Sequence, residues 1–223
     1  MVYEVEQRIN QPKIETNVER KQNVDLPKWF GCNIDEESSL AKPLTPSHQD
    51  ESSICAVSPL KSDNDGRLYA RGRLIHKMLQ FLPSVEDKKR DVLAETFLSK
   101  QVKEFTSEEL NFIKSEVLSL ISNPDFAPLF SKNSVAEVSL MGVVGEHIIS
   151  GQIDRLVVCD DKVMIIDYKT NRPAPENISG IPKSYIKQMK AYAELIKRIY
   201  PDKKVETFIL WTNTAKIMRT DNI

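Results

Sequence analysis

The spacing of hydrophobic residues predicts three helices after residue 67. Apolar side chains recur at helical intervals, and each run stops at a proline or polar segment. The third run begins with a capping box, in which Thr106 is followed by Glu109 three residues later. The helices are predicted over Leu68–Leu82, over Glu86–Val102 with Val92, Leu93, Phe97 and Leu98 facing inward, and from Thr106 to Asn123.

The hydrophobic period falls to two from Ala136, which indicates β-strands. The run Val163–Ile166 is continuously apolar, as expected for a strand buried on both faces. An α/β domain is therefore predicted, with a mixed central β-sheet flanked by helices and a helical N-terminal part. Its other elements are strands over Glu137–Val144 and Glu146–Val158, a loop over 171–182, a helix from Pro182 to Tyr200, and strands over Val205–Thr212 and Ala215–Arg219.

The N-terminal part differs from the rest of the chain. Residues 1–65 contain five prolines and 12 acidic against 7 basic residues, without sustained periodicity. This composition is typical of a linker or an extended arm. We assign residues 1–42 to such an arm and residues 43–223 to the folded domain.

Composition excludes several classes of protein. Lys and Arg total 31 and Asp and Glu total 32, so a uniformly basic nucleic-acid-binding surface is excluded. The seven glycines form neither a P-loop nor a dinucleotide-binding turn, and no apolar run approaches the ~20 residues of a membrane span. Three cysteines, Cys32, Cys55 and Cys159, are too few for an iron–sulfur cluster or a structural zinc site. A cytoplasmic protein without membrane contact is predicted.

Two aspartates are predicted to face each other across neighbouring strands. If Asp160 and Asp161 form the tip of a hairpin, opposing residues have numbers that total 321, which pairs Asp154 with Asp167. Their Cβ atoms are then ~5 Å apart on one face of the sheet. Like charges so placed are destabilising, and a hard divalent cation such as Mg²⁺ would relieve the repulsion.

Lys169 is predicted to lie on the same face as Asp167, because the two are separated by one residue of a strand. An ammonium group beside a metal-bound water can orient or deprotonate that water. Tyr168 points the opposite way, while its carbonyl remains able to reach a metal. The alternative is that Asp167 and Lys169 form an ordinary ion pair at a strand end.

Three residues on helices are further candidates. His76 lies just beyond the apolar stripe of the first helix and can border a cleft, although a solvated histidine is the alternative. Gln188 and Tyr192 are four residues apart and share a helix face, at the edge of an apolar stripe where a tyrosine is usually a core residue.

These residues occur in an order that resembles the RecB-like branch of the PD-(D/E)XK nucleases. The wider sequence, from about residue 43 to 220, is similar to the nuclease domains of AddA-type helicase–nuclease subunits, which process double-strand breaks. The chain has no P-loop, so it resembles the nuclease part alone. The matching segments are Gly72-Arg73-Leu74-Ile75-His76, Gly151-Gln152-Ile153-Asp154, Asp167-Tyr168-Lys169-Thr170 and Gln188 with Tyr192.

The resemblance implies a restriction-endonuclease-like fold and a role for each motif residue. Lys169 would be the catalytic lysine, and Gln188 and Tyr192 would line the side that faces DNA. Glu137 is a weaker candidate for the rim of the site. The metal ligands would be His76, Asp154, Asp167 and the carbonyl of Tyr168.

The function implied is a Mg²⁺-dependent DNA nuclease, with Mn²⁺ as a possible substitute, that degrades unwound DNA ends for recombination beside an AddB-like partner protein. Between Lys169 and Lys204, nine basic and three acidic residues could bind backbone phosphates, or could simply form a solvated helix face. One alternative is a CRISPR-associated exonuclease, which would need a fourth cysteine. The other is a catalytically silent DNA-docking or partner-binding module.

Overall fold

A computed structural model describes residues 43–44 and 63–222, all within the unit Ala41–Ile223. The arm assigned to residues 1–42 lies outside the described residues, so its extent and the domain boundary stay predictions. The described residues form four α-helices: α1 (Asp63–Phe81), α2 (Asp87–Leu98), α3 (Ser107–Ser122) and α4 (Lys183–Ile199). Short 3₁₀ turns cover Leu82–Ser84, Ser99–Gln101, Pro124–Phe130 and Ile178–Gly180.

The helices follow the predicted pattern, with one correction in α2. The capping box of α3 is confirmed, because the Thr106 hydroxyl accepts from the Glu109 N–H and the Glu109 carboxylate accepts from the Thr106 N–H. In α2 the inward assignment of Val92 and Leu93 is wrong, since these side chains are 63% and 39% exposed. The short helix instead buries Ala94 and Leu98, which lie one turn apart and form a narrow stripe. Phe97 packs at the edge of this stripe.

In the part of the chain that the structure describes, six strands form one mixed sheet. Along one edge, the strand β3 pairs with the antiparallel strand β2. Along its other edge, β3 pairs with the parallel strand β1 and the antiparallel strand β4. The sheet continues from β4 to a parallel β5 and an antiparallel β6. The strands are β1 (Pro43–Leu44), β2 (Ser134–Val144), β3 (His147–Val158), β4 (Lys162–Lys169), β5 (Lys204–Trp211) and β6 (Lys216–Arg219).

The predicted hairpin register is confirmed. The pairs between β3 and β4 run from Val158↔Val163 to Arg155↔Ile166, and the Cys159 N–H donates to the Lys162 carbonyl across the turn. As predicted, β4 is buried on both faces. Alternate residues of this strand enter a core shared with α1, α2 and α3 and a core shared with α4.

The alternation of β3 breaks beside Asp154. Ile153 and Leu156 both enter the core on the α4 side although they are three residues apart, whereas Val157 enters the core on the side of α1. The partner strand is distorted at the same level, where Glu137 has a positive φ of 55°. The β2–β3 ribbon therefore exchanges its faces at this point, and the exchange places both acidic residues at the edge of a cleft.

Candidate active site

A cleft of about 800 Å³ opens between α1, the middle of the sheet and the start of α4. Each bordering element contributes one or two of the candidate residues: His76 comes from α1, Asp154 from β3, and Asp167 and Lys169 from β4. The structure therefore brings together residues that are far apart in sequence. Gln188 of α4 and Glu137 of β2 also line this cleft.

Asp154 connects α1 to the end of β4. Its Oδ1 lies 3.1 Å from Nδ1 of His76, and its Oδ2 accepts a 2.6 Å hydrogen bond from the Tyr168 backbone N–H. The strand pairing stops one residue earlier, at Arg155↔Ile166. The carboxylate thus occupies the point where the two strands separate. The His76 ring also makes a T-shaped contact with the ring of Tyr168, at 73° and 5.7 Å between ring centres.

Asp167 is buried and contacts one charged partner and one neutral partner. Its Oδ2 lies 2.8 Å from Nζ of Lys169, and its Oδ1 accepts a 3.2 Å hydrogen bond from the Gln188 side-chain amide. The Lys169 amine also donates to the Gln188 side-chain oxygen at 3.3 Å and lies 4.0 Å from the ring centre of Tyr185. The lysine is therefore fixed between a carboxylate, an amide and an aromatic face.

Protein groups already balance the charges of both aspartates. The repulsion between Asp154 and Asp167 was expected to require a cation, yet both carboxylates are already compensated by protein groups. His76 and the Tyr168 N–H compensate the first, and Lys169 with Gln188 compensates the second. Proximity of the two aspartates is therefore not sufficient to imply a metal, and the case for one depends on the donor atoms that face the cleft.

Burial and charge shift the pKa values of the central groups. Burial raises the pKa of Asp167, and the neighbouring Asp154 adds to this while Lys169 opposes it. Burial disfavours the charged form of Lys169, but the Asp167 carboxylate outweighs burial and the pKa of the lysine is raised. The same balance holds for His76, where the Asp154 carboxylate overcomes burial and raises the pKa of the imidazole.

Three side chains offer a compact set of metal-binding atoms. One donor atom each from His76, Glu137 and Asp154 lies within 4.8 Å of the other two. An imidazole with two carboxylates suits a divalent cation. Burial, assisted by the charge of Asp154, raises the pKa of Glu137, so a cation here would compete with a proton. The donor set of this structure therefore fits a divalent metal.

Tyr192 is a core residue, the alternative that its position on the helix left open. Its side chain is fully buried, and its hydroxyl would be 2.3 Å from a Cβ added to Gly151. The expectation that it faces DNA is therefore wrong for the side chain itself. Its link to the site passes through Gln188, whose amide is 3.4 Å from the Tyr192 hydroxyl.

Sequence reasoning gave too little weight to two residues. Tyr185 was not among the candidate residues, although its ring faces the amine of Lys169 and its hydroxyl donates to the Asn171 side chain at 3.2 Å. Its position one turn before Gln188 could have indicated a shared face. Glu137 was placed at the rim, and no local signal indicated the positive φ that brings it beside Asp154.

Two curated proteins are similar in sequence to parts of this chain. A subunit of an ATP-dependent helicase/nuclease from Lactococcus lactis is 33% identical over 66 residues, which are 29% of this chain and 6% of that protein. The protein of the same description from Streptococcus mutans is 23% identical over 155 residues, 66% of this chain and 13% of that protein. The chain thus spans a small fraction of these curated relatives, which are of the type that its motifs resemble.

One solved structure, that of SSO0001, is 17% identical with a TM-score of 0.31, covering 67% of this chain and 76% of that one. Within the described part of the chain, none of the helices has the length and hydropathy that a transmembrane segment needs. The family described as "PD-(D/E)XK nuclease superfamily" matches residues 56–220, close to three quarters of the sequence. This chain is therefore a member of the PD-(D/E)XK nuclease superfamily.

Proposed function

We propose that the protein is a metal-dependent DNA nuclease that hydrolyses phosphodiester bonds in this cleft. The observation that supports the proposal most directly is the convergence of His76, Asp154, Asp167 and Lys169 from three separate elements. A silent module would have no need for a buried lysine held against a buried carboxylate beside a set of metal-binding atoms. The family membership of the chain supports the same conclusion.

A divalent metal would be held by Asp154, Asp167 and His76, with the Tyr168 carbonyl as a further oxygen ligand and Glu137 at the rim. When bound, Mg²⁺ or Mn²⁺ supplies an acidified water and stabilises negative charge on the phosphate. The donor set does not distinguish between these two ions, and we propose Mg²⁺ as the natural one.

The residues of the chain have separate tasks in the proposed mechanism. Lys169 presents a charged amine beside Asp167, where it can orient an attacking water and stabilise negative charge on a phosphate oxygen. Gln188 holds both side chains of this pair through its amide, with its oxygen toward the amine and its nitrogen toward the carboxylate. His76 orients Asp154 from above, so that both aspartates face the same space.

We further propose that the nuclease acts on unwound DNA ends during double-strand-break repair. This is supported by the curated relatives, whose description joins a helicase to a nuclease and whose lengths exceed the matched segment many times. An AddB-like partner, an ATP-driven helicase part and a cytoplasmic location belong to the same proposal. Exonucleolytic cleavage is expected, because such an enzyme would receive free strand ends.

The test is digestion of end-labelled single-stranded DNA with Mg²⁺ or Mn²⁺, comparing the wild type with Asp167→Ala and Lys169→Ala. Loss of a positioned acid–base group typically lowers a rate by ~10²–10⁴-fold. Lys88→Ala is the matched control, because it removes a lysine from the exposed face of α2. Equal digestion by all four proteins would refute the mechanism, and DNA binding without any metal-dependent digestion would favour the silent docking module.

A further inference from the structure

A second cavity, of about 290 Å³, lies beside the nuclease cleft between α1 and α3. Leu68 lines both spaces, so the cavity adjoins the cleft directly. The other side of the cavity is closed by Arg172, which follows the cleft residues Lys169, Thr170 and Asn171 in the chain. The mechanism described above uses none of the charged groups of this cavity.

A single buried carboxylate holds two guanidinium groups together here. Oε2 of Glu116 accepts hydrogen bonds from Nη2 of Arg71 and, at 3.1 Å, from Nη2 of Arg172. The side chain of Glu116 is 5% exposed, while that of Arg172 is 40% exposed. Two positive charges on one negative charge leave an excess of one positive charge at the cavity.

The two arginines have donors that the protein does not use. Among the described residues, the only side-chain hydrogen bond of Arg71 and of Arg172 is the one each makes with Glu116. A guanidinium carries five N–H donors in a planar fork that matches the oxygens of a phosphate. The shared carboxylate thus fixes two forks side by side before any ligand arrives, which lowers the entropic cost of binding an anion.

Aromatic and apolar side chains surround the same cavity. Phe112 is 52% exposed and Leu68 is 59% exposed, although both are large and apolar. The guanidinium of Arg172 lies over the Phe112 ring, 4.8 Å from its centre. Single-stranded nucleic acid binds to surfaces that combine two features. Arginines contact its backbone phosphates, and exposed apolar or aromatic side chains contact its bases.

We propose that Arg71 and Arg172, held by Glu116, bind a backbone phosphate of the DNA strand being cut, and that the cavity accepts an adjoining base. This inference rests on the proposed nuclease function. The position fits a strand that crosses Leu68 into the cleft, because Arg71 precedes His76 by five residues, ~7.5 Å along the helix axis. Contacts of this kind position a strand without reading its sequence.

The test is binding of fluorescein-labelled oligo(dT) to the full chain in EDTA, measured by anisotropy over a range of salt concentrations. We expect Arg172→Gln to weaken binding about tenfold, the effect of one charge-assisted hydrogen bond. The slope of log K against log salt should fall by ~0.7, the value for one lost contact to a single strand. Lys88→Gln, which removes the same charge from α2, should change neither quantity.

A merely structural ion pair predicts another result, namely a lower melting temperature of Arg172→Gln with unchanged affinity and salt slope. That result would refute the proposed phosphate contact. Because the assay contains no metal, it is independent of cleavage. A wild type that binds DNA through Arg172 but never digests it would refute the proposed nuclease function instead, and the two failures are therefore distinguishable.

Discussion

The Lys169 amine lies 2.8 Å from the Asp167 carboxylate, and the two side chains are only 16% and 6% exposed. Burying two charges is costly unless they are paired and further hydrogen-bonded, and the Gln188 amide meets this condition for both. Ordinary ion pairs at strand ends are exposed, so the burial of this pair argues against the simple structural alternative. The pair is therefore best understood as a preformed part of the candidate active site.

Tyr185 should keep the amine of Lys169 in place through its ring. We expect Tyr185→Leu to lower DNA cleavage about 2- to 30-fold, because a cation–π contact contributes ~0.5–2 kcal/mol. Tyr185→Phe retains the ring and should retain most of the activity. Cleavage rates of both variants over a range of pH would test this, and equal losses in the two variants would assign the effect to the hydroxyl and its contact with Asn171.

Glu137 should contribute to metal binding although it lies at the rim of the cleft. We expect Glu137→Gln to weaken Mn²⁺ binding about 10–100-fold, the range found for residues that surround metal sites. Titration followed by electron paramagnetic resonance would measure this without DNA. Glu146→Gln is the control, since it removes an exposed carboxylate from the turn between β2 and β3. Equal affinities for the two variants would exclude Glu137 from the site.

Two glycine substitutions should have opposite effects on stability. In Gly151→Ala the new Cβ would be 2.3 Å from the hydroxyl of the fully buried Tyr192, so we expect a loss of ~1–3 kcal/mol in the free energy of unfolding. In Gly66→Ala nothing lies within 4 Å, and the helix α1 should gain ~0.5–1 kcal/mol. Urea denaturation measures both, and a neutral Gly151→Ala would show that Tyr192 can move.

Tyr168 should make the fold sensitive to high pH. Burial raises its pKa from 10.0 to about 12, while the neighbouring Arg155 opposes the rise. The unfolded chain therefore loses this proton at lower pH than the native one, so its contribution is complete below pH 10.0 and is lost as pH rises through about 12. Two pKa steps correspond to ~2.7 kcal/mol.

Thermal unfolding between pH 9 and 12 would test this contribution of Tyr168. We expect the wild type to lose more stability over that range than Tyr168→Phe, which lacks the titrating group. Tyr69→Phe alters a tyrosine that is 72% exposed and should follow the wild type. Parallel curves for wild type and Tyr168→Phe would contradict the prediction.

Much of the fold could be predicted from local patterns. The register of β3 against β4 followed from a two-residue turn and is confirmed, because a turn of that length fixes every pair after it. The capping box located the start of α3 to the residue. In contrast, the inward face of α2 was assigned to the wrong side, since a short helix with scattered apolar residues does not determine which stripe meets its neighbour.

The sequence indicated candidate residues of the site but not the contacts between them. Spacing placed Asp167 and Lys169 on one face, because strands alternate strictly, and the pair is found in contact. It did not predict that Gln188 would bridge them or which of the two alternatives for Tyr192 holds, because both depend on how closely α4 approaches Gly151. Local hydrophobic periodicity does not determine how closely a helix packs against a strand that is far away in sequence.

The exchange of faces in the β2–β3 ribbon also affects how the domain can move. Because this ribbon contributes side chains to the cores on both sides of the sheet, neither helical layer can shift alone without carrying the ribbon with it. Asp154 and Glu137 lie where the faces exchange, so a repacking of either layer would also change the spacing of the two carboxylates.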